Sequence, residues 1–148
     1  MVKRTSLEGD PCPIARSLDA IGDWWSLLII RDAVLGARRF GEFQKSLGLA
    51  RNILTVRLRT LVEHDILAQR PASDGSAYKE YALTQKGRDL FPLIVALRQW
   101  GDNHLLPEEE RHSELVDRKE GKPVLKLEVR AADGRVLGPR DTEVKRFD

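Results

Sequence analysis

The sequence predicts a mostly α-helical domain that carries a β-hairpin wing, followed by an accessory β-hairpin in the tail. Three observations predict it. Apolar residues recur at helical spacing in four successive short segments, each with its own start and stop signals. That spacing gives way to alternation on both sides of Pro71-Ala72-Ser73-Asp74-Gly75-Ser76. Helical spacing then returns, until Pro107 and a run of three glutamates open a charged, alternating tail.

The first helix opens at Asp10-Pro11-Cys12-Pro13. Asp10 or Cys12 suits the N-cap, and Pro13 suits the first helical position, where its missing N–H costs nothing. Ile14, Leu18 and Ile21 follow at helical spacing until Gly22. Asp23 caps the second helix, whose Trp24, Leu27, Leu28, Ile30, Val34 and Leu35 make it apolar all round up to Gly36. Such a helix is expected at the centre of the core. Phe40, Phe43 and Leu47 mark a third, short helix that ends at Gly48.

A fourth helix is expected over about residues 50–64. Leu54, Leu58, Leu61 and Val62 form its apolar stripe, with Ile53 at the flank. Arg51, Asn52, Thr55, Val56 and Arg59 form the opposite face, with Arg57 on the border. Ile66 to Arg70 and Tyr78 to Leu83 read as two strands around an Asp-Gly turn. Thr84 caps a last helix over about 85–105, kinked at Pro92. In the tail, Leu125, Leu127 and Val129 alternate with charged residues, and Asp133-Gly134 supplies a turn before Val136-Leu137.

Composition fits one domain with an appendage: 148 residues, 41% hydrophobic and 32% charged. No apolar run approaches the roughly 20 residues of a membrane span. The segment Met1 to Ser6 has no apolar stretch behind it, so no signal peptide is expected and the cytoplasm is the expected compartment. A single cysteine excludes an internal disulfide framework and a multi-cysteine zinc site. Overall charge is only +2, but residues 31–70 hold eight basic side chains against four acidic ones. A basic middle in a balanced chain points to local contact with a polyanion.

Three helices, a hairpin and a further helix is the order of a winged helix-turn-helix. The fourth helix would enter the DNA major groove, and the hairpin would be the wing. Such a helix needs one apolar face to dock and one polar face for bases and phosphates, which residues 50–64 provide. Arginine pairs bidentately with guanine and asparagine with adenine.

The residues also resemble the HxlR-type winged-helix regulators, a branch close to the MarR regulators. The resemblance spans about 11–105. It rests on Cys12-Pro13-Ile14, Trp25, Leu28-Ile29, Gly36, Arg39-Phe40-Gly41-Glu42-Phe43, Leu54-Thr55, Arg57-Leu58, Leu61, Tyr81-Ala82-Leu83-Thr84, Gly87, Leu90 and Trp100-Gly101. It implies a bacterial or archaeal regulator that binds double-stranded operator DNA as a homodimer, with the first and last helices of the domain at the dimer interface. Residues 11–105 would be the DNA-binding and dimerisation domain, and 106–148 an extension.

Carried onto this chain, the resemblance points Arg51, Asn52, Thr55, Val56 and Arg57 toward DNA. Val56 stands where relatives often have a polar residue, and suits a thymine methyl. Arg39 and Arg59 lie toward the flanks and suit phosphate. The wing has no basic tip, so Arg70 and Lys79 at its base are the expected backbone contacts. In several family members a cysteine at the place of Cys12 senses electrophiles or oxidants. A thiol at a helix start favours the reactive thiolate, so Cys12 is the redox-sensing candidate beside the plainer reading of a small interface residue.

Trp24, Trp25 and Trp100 are candidates for an effector pocket, with ordinary core and interface packing as the plainer alternative. His104, Glu108 and His112 would align on a continuous helix, but Pro107 interrupts it and no fourth ligand follows, so no metal and no cofactor is expected. No catalytic dyad or triad is present, so the chain is not read as an enzyme. The leading expectation is a homodimeric operator-binding regulator, read as a repressor, that answers a small molecule or electrophile. The alternative is a winged-helix protein-interaction module without specific DNA binding.

Overall fold

The computed structural model describes residues 5–147. Residues 1–4, which begin the stretch read for a signal peptide, lie outside the described residues, as does residue 148. Backbone contacts divide the chain into two compact units, Met1–Ile94 and Val95–Asp148.

The first unit opens with α1 (Pro13–Ile21), whose N-cap is Cys12. The Asp10 carboxylate accepts the Cys12 N–H at 2.8 Å, so both residues take part in the start of the helix. α2 (Trp24–Val34) is capped by Asp23, which accepts the Ser26 N–H at 2.9 Å. α2 is apolar all round but is not buried all round. Ile29, Ile30 and Ala33 are buried, whereas Trp24 and Leu35 are exposed. Trp25, Leu27 and Val34 pack half-buried against the core, so the exposure is confined to the first residue of the helix and the residue just past its end.

α3 (Phe40–Leu47) and α4 (Arg51–Glu63) are joined through Gly48, whose φ of +64° is a left-handed conformation that glycine adopts without strain. Phe43 of α3 and Leu54, Leu58 and Leu61 of α4 are fully buried in one cluster with Ile29, Ile30, Ile66 and Leu67. Val62 packs against that cluster, while Ile53 is exposed. The sheet has two antiparallel strands, β1 (Leu67–Pro71) and β2 (Lys79–Leu83). Its register sets Leu67 opposite Leu83, Gln69 opposite Tyr81 and Pro71 opposite Lys79 on one face, and Ala68 opposite Ala82 and Arg70 opposite Glu80 on the other.

Pro71 therefore ends a strand and is not part of the turn. The Ala72 N–H bonds the Tyr78 carbonyl at 3.2 Å, so Pro71 occupies the alternate position, whose missing N–H would point away from β2. On the outer edge of β2, Arg39 forms an isolated bridge with Glu80, and the Tyr81 N–H bonds the Arg38 carbonyl at 2.7 Å.

The expected helix over 85–105 is two helices, α5 (Gln85–Arg88) and α6 (Phe91–His104). Pro92 falls in the first turn of α6, where no N–H is needed, so the proline starts a helix here instead of kinking one. The division between the two units falls within α6. Among the described residues no helix is long and apolar enough to cross a membrane.

In the second unit the tail hairpin is shorter than expected. The expected pairing around Asp133-Gly134 is reduced to one isolated antiparallel bridge, Arg130 with Val136, and a further bridge outside the expected strands joins Val116 and Pro123. The Leu137 N–H still bonds the Val129 carbonyl at 2.8 Å. Next to it the backbone finds a different partner. The Gln99 side chain of α6 donates to the Leu125 carbonyl at 3.0 Å and accepts the Leu127 N–H at 2.8 Å. One amide side chain thus supplies the donor and the acceptor that a second strand would have offered.

Candidate nucleic-acid interface

Burial of Leu54, Leu58 and Leu61 fixes which side of α4 faces outward. Arg51, Asn52, Thr55, Val56 and Arg59 are all exposed, and Val56 retains 52% of its surface. The Asn52 amide and the Arg59 guanidinium have no bonding partner among the described residues, which leaves their donors open. The Thr55 hydroxyl donates back to the Arg51 carbonyl at 2.8 Å, and keeps its lone pairs for a donor outside the helix. The Arg51 guanidinium lies over the Phe40 ring, 5.0 Å from its centroid, which holds it at the α3–α4 corner.

Two predicted arginines are engaged inside the protein. Arg57 is half-buried and pairs with Asp23 at 3.5 Å, the carboxylate that also caps α2. It ties α4 to the start of α2 while 38% of its side chain stays exposed at the border of the outer face. Arg39 donates to Asp74 in the wing turn, lies 3.7 Å from Glu80 and covers the Tyr78 ring at 5.7 Å. Its guanidinium is held still more firmly protonated than usual, chiefly by the Asp74 hydrogen bond.

The wing contacts separate. Lys79 lies on the sheet face of Gln69 and Tyr81, while Arg70 lies on the opposite face. Lys79 lines an open groove of about 800 Å³ with Arg39, Lys45, Arg51, Thr55 and Gln69. Sequence reading missed Lys45 and Gln69. The signal for Gln69 was present, because strand alternation relates it to Tyr81 once the register is known. Lys45 could have been found as the outward residue of the short third helix.

Asp74 is held well below the ordinary carboxylate range, first by the Ser76 backbone N–H and then by Arg39. A depressed carboxylate contributes its stabilisation above its unfolded pKa, and loses it as the pH falls through the lower folded value. The Arg39–Asp74 link is therefore expected to survive mild acid. A carboxyl NMR titration should find Asp74 still ionised at pH 3, about one unit under the free value of about 3.9. A midpoint near the free value would show that the link is absent in solution.

The remaining candidates lie elsewhere. Cys12 is exposed at the N-cap of α1. Trp24 and Trp25 pack edge to face at 6.2 Å, with Trp24 largely exposed. Trp100 belongs to the second unit, where its ring lies 5.4 Å from His104.

A three-helix core with a helix-turn-helix and a β wing defines the winged helix-turn-helix class, and the exposed polar face of α4 stands where that class presents its recognition helix. The sequence profile of the HxlR-like helix-turn-helix family matches residues 20–109, and the chain belongs to that family. An uncharacterised HTH-type transcriptional regulator of Mycobacterium tuberculosis is 47% identical over 62% of this chain, and the chain spans 58% of that relative's length. A second such regulator, from Synechocystis, is 34% identical over 66% of this chain and 73% of its own length. Among solved structures, PA1607, a candidate transcription factor, is 57% identical, with a TM-score of 0.92 over 97% of this chain and all of that one. By family and fold the chain thus carries an HxlR-like helix-turn-helix, and a MarR-family protein of Porphyromonas gingivalis shares the fold with a TM-score of 0.58.

Proposed function

We propose that this chain is a sequence-specific operator-binding repressor that acts as a homodimer in the cytoplasm. The observation that carries the reading is the division of α4. Its leucines are fully buried, while Arg51, Asn52, Thr55, Val56 and Arg59 stand exposed on the other side. Asn52 and Arg51 are assigned to base edges, Thr55 to a base or phosphate, and Val56 to a thymine methyl. Arg59 and Lys79 are assigned to the phosphate backbone, Arg39 joins them when phosphate competes with Asp74, and Arg70, turned to the sheet face opposite Lys79, is left out of that set. Arg57 acts by holding α4 against Asp23. Residues 11–105 form the DNA-binding and dimerising part, and 106–148 the extension. Ile14 on α1 and Leu93, Leu97 and Trp100 on α6 are exposed apolar side chains that support self-association through the first and last helices of that part.

Selection of bound duplexes from a random pool tests the reading. The expected product is an inverted repeat whose half-sites lie about one helical turn, roughly 34 Å, apart or a multiple of it. A single unrepeated site would remove the dimer. No enrichment at all would leave the winged helix as a protein-interaction module.

On the selected site, Asn52→Ala is expected to weaken binding by about 1–3 kcal/mol and to relax choice at one position. Arg59→Ala should weaken specific and random DNA alike and flatten the salt dependence by about one charge. Equal behaviour of the two variants in competitive binding and salt titrations would show that the base and phosphate roles are misassigned.

A further inference from the structure

We infer that the first unit carries a binding site for an amphipathic organic anion, a carboxylate on an aromatic or branched apolar body, in the cleft where Arg38, Arg70 and Arg88 converge over Val34, Leu83 and Phe91. The cleft has a volume of about 470 Å³ and no aspartate or glutamate in its lining. That volume lies within the range that holds small ligands.

Two of its arginines are oriented by neutral groups alone. Arg38 donates to the carbonyls of Ala33 and Ala37 at 3.3 and 3.2 Å. Arg88 donates to the Leu83 carbonyl at 2.8 Å and to the Gln85 side-chain oxygen at 3.0 Å. Arg70 has no bonding partner among the described residues. These contacts fix direction without cancelling charge, so three guanidinium groups share one cleft with no counter-ion from the protein.

The acids that flank these arginines are engaged elsewhere: Asp32, beside Ala33, pairs with Arg31 at 2.9 Å, and Glu42 accepts the backbone N–H of Arg38 at 3.2 Å and of Arg39 at 3.0 Å. Glu80, opposite Arg70 in the sheet, accepts from the Ser73 hydroxyl at 3.0 Å and faces Arg39 at 3.7 Å. Asp89 accepts from Gln85 at 2.8 Å. An anion is the charge that the cleft lacks, and guanidinium groups bind carboxylates in two-point geometry.

The floor decides against a bare phosphate. Val34 and Leu83 are half-buried and Phe91 is 42% exposed, an apolar surface that inorganic phosphate would leave wet. The sheet register decides against the DNA backbone. Arg70 points from the face opposite Lys79, Gln69 and Tyr81, and those three share the groove with α3 and α4.

The test uses the full chain without DNA, so its outcome is independent of the operator reading. Titration with 2-naphthoate, followed by its fluorescence and by calorimetry, is expected to saturate at one molecule per chain. The neutral isostere 2-naphthol should bind at least tenfold more weakly, and inorganic phosphate should not displace the naphthoate. Arg70→Gln should lower affinity at least tenfold with an unchanged circular dichroism spectrum, because Arg70 holds no structural bond. Ala82→Glu, which brings a carboxylate into the cleft and leaves all three arginines in place, should abolish binding. Absence of saturable binding, or equal affinity in Arg70→Gln and the wild type, overturns the proposal. Mole-for-mole displacement of naphthoate by a random-sequence duplex also overturns it, and assigns the arginines to the DNA backbone.

Discussion

Leu58→Ala is expected to lower the stability of the protein by about 3–4 kcal/mol, out of the 5–15 kcal/mol typical of a domain. Leu58 is fully buried between Leu54 and Leu61 on α4, in one cluster with Phe43, Ile29 and Ile30. Truncation removes the transfer energy of its side-chain carbons and leaves a cavity that flanking helices cannot fully close. The same leucines seat α4, so operator and random DNA should both lose affinity in the variant. Val56→Ala is the matched control. It lies on the opposite face at 52% exposure, and its effect on stability should stay within about 0.5 kcal/mol. Urea denaturation of both variants decides the matter. A Leu58→Ala midpoint close to the wild type would mean that α4 is not seated on this core.

Gly87→Ala is expected to destabilise by about 2–3 kcal/mol, although helix propensity taken alone favours alanine by about 1 kcal/mol. A Cβ at Gly87 would stand 2.3 Å from the Ile66 carbonyl oxygen and 3.0 Å from the Leu83 side chain. The first of these is backbone and cannot swing away. The Ile66 carbonyl accepts the Thr84 N–H at 3.0 Å and the Thr84 hydroxyl at 3.1 Å, and Thr84 in turn caps α5 by accepting the Gly87 N–H at 3.0 Å. Moving that oxygen disturbs both the cap and the entry into β1. Gly41→Ala separates the two effects, because nothing lies within 4 Å of a Cβ there. It should raise stability by up to about 1 kcal/mol. A thermal melt in which Gly87→Ala also gains stability would show that the close approach to Ile66 does not exist.

Most of the framework was legible because its signals are local. Asp23, Thr84 and Gly48 mark helix ends through bonds and dihedral angles within three or four residues, and the Leu54–Leu58–Leu61 stripe follows from helical periodicity. The errors arose where a local signal had two outcomes. Pro92 fits either a kink or a helix start, and the choice depends on whether the chain breaks at Asp89-Leu90. Alternation over Leu125–Val129 describes any extended segment that has a partner. Here the partner for Leu125 and Leu127 is Gln99, 26 residues away from Leu125.

The class of fold, the outward face of α4 and the position of the wing can be read along the chain, since each depends on neighbours a few residues apart. Which cations stay open on that framework depends on contacts that form only when distant segments meet. Arg39 meets Asp74 across 35 residues, and Arg57 meets Asp23. Strand register puts Lys79 beside α3 and α4 but turns Arg70 to the other face, where Arg38 and Arg88 join it. The physical reason is that side-chain charge is written in the sequence, while its neutralisation depends on which distant carboxylate the chain brings within about 4 Å when the loops close.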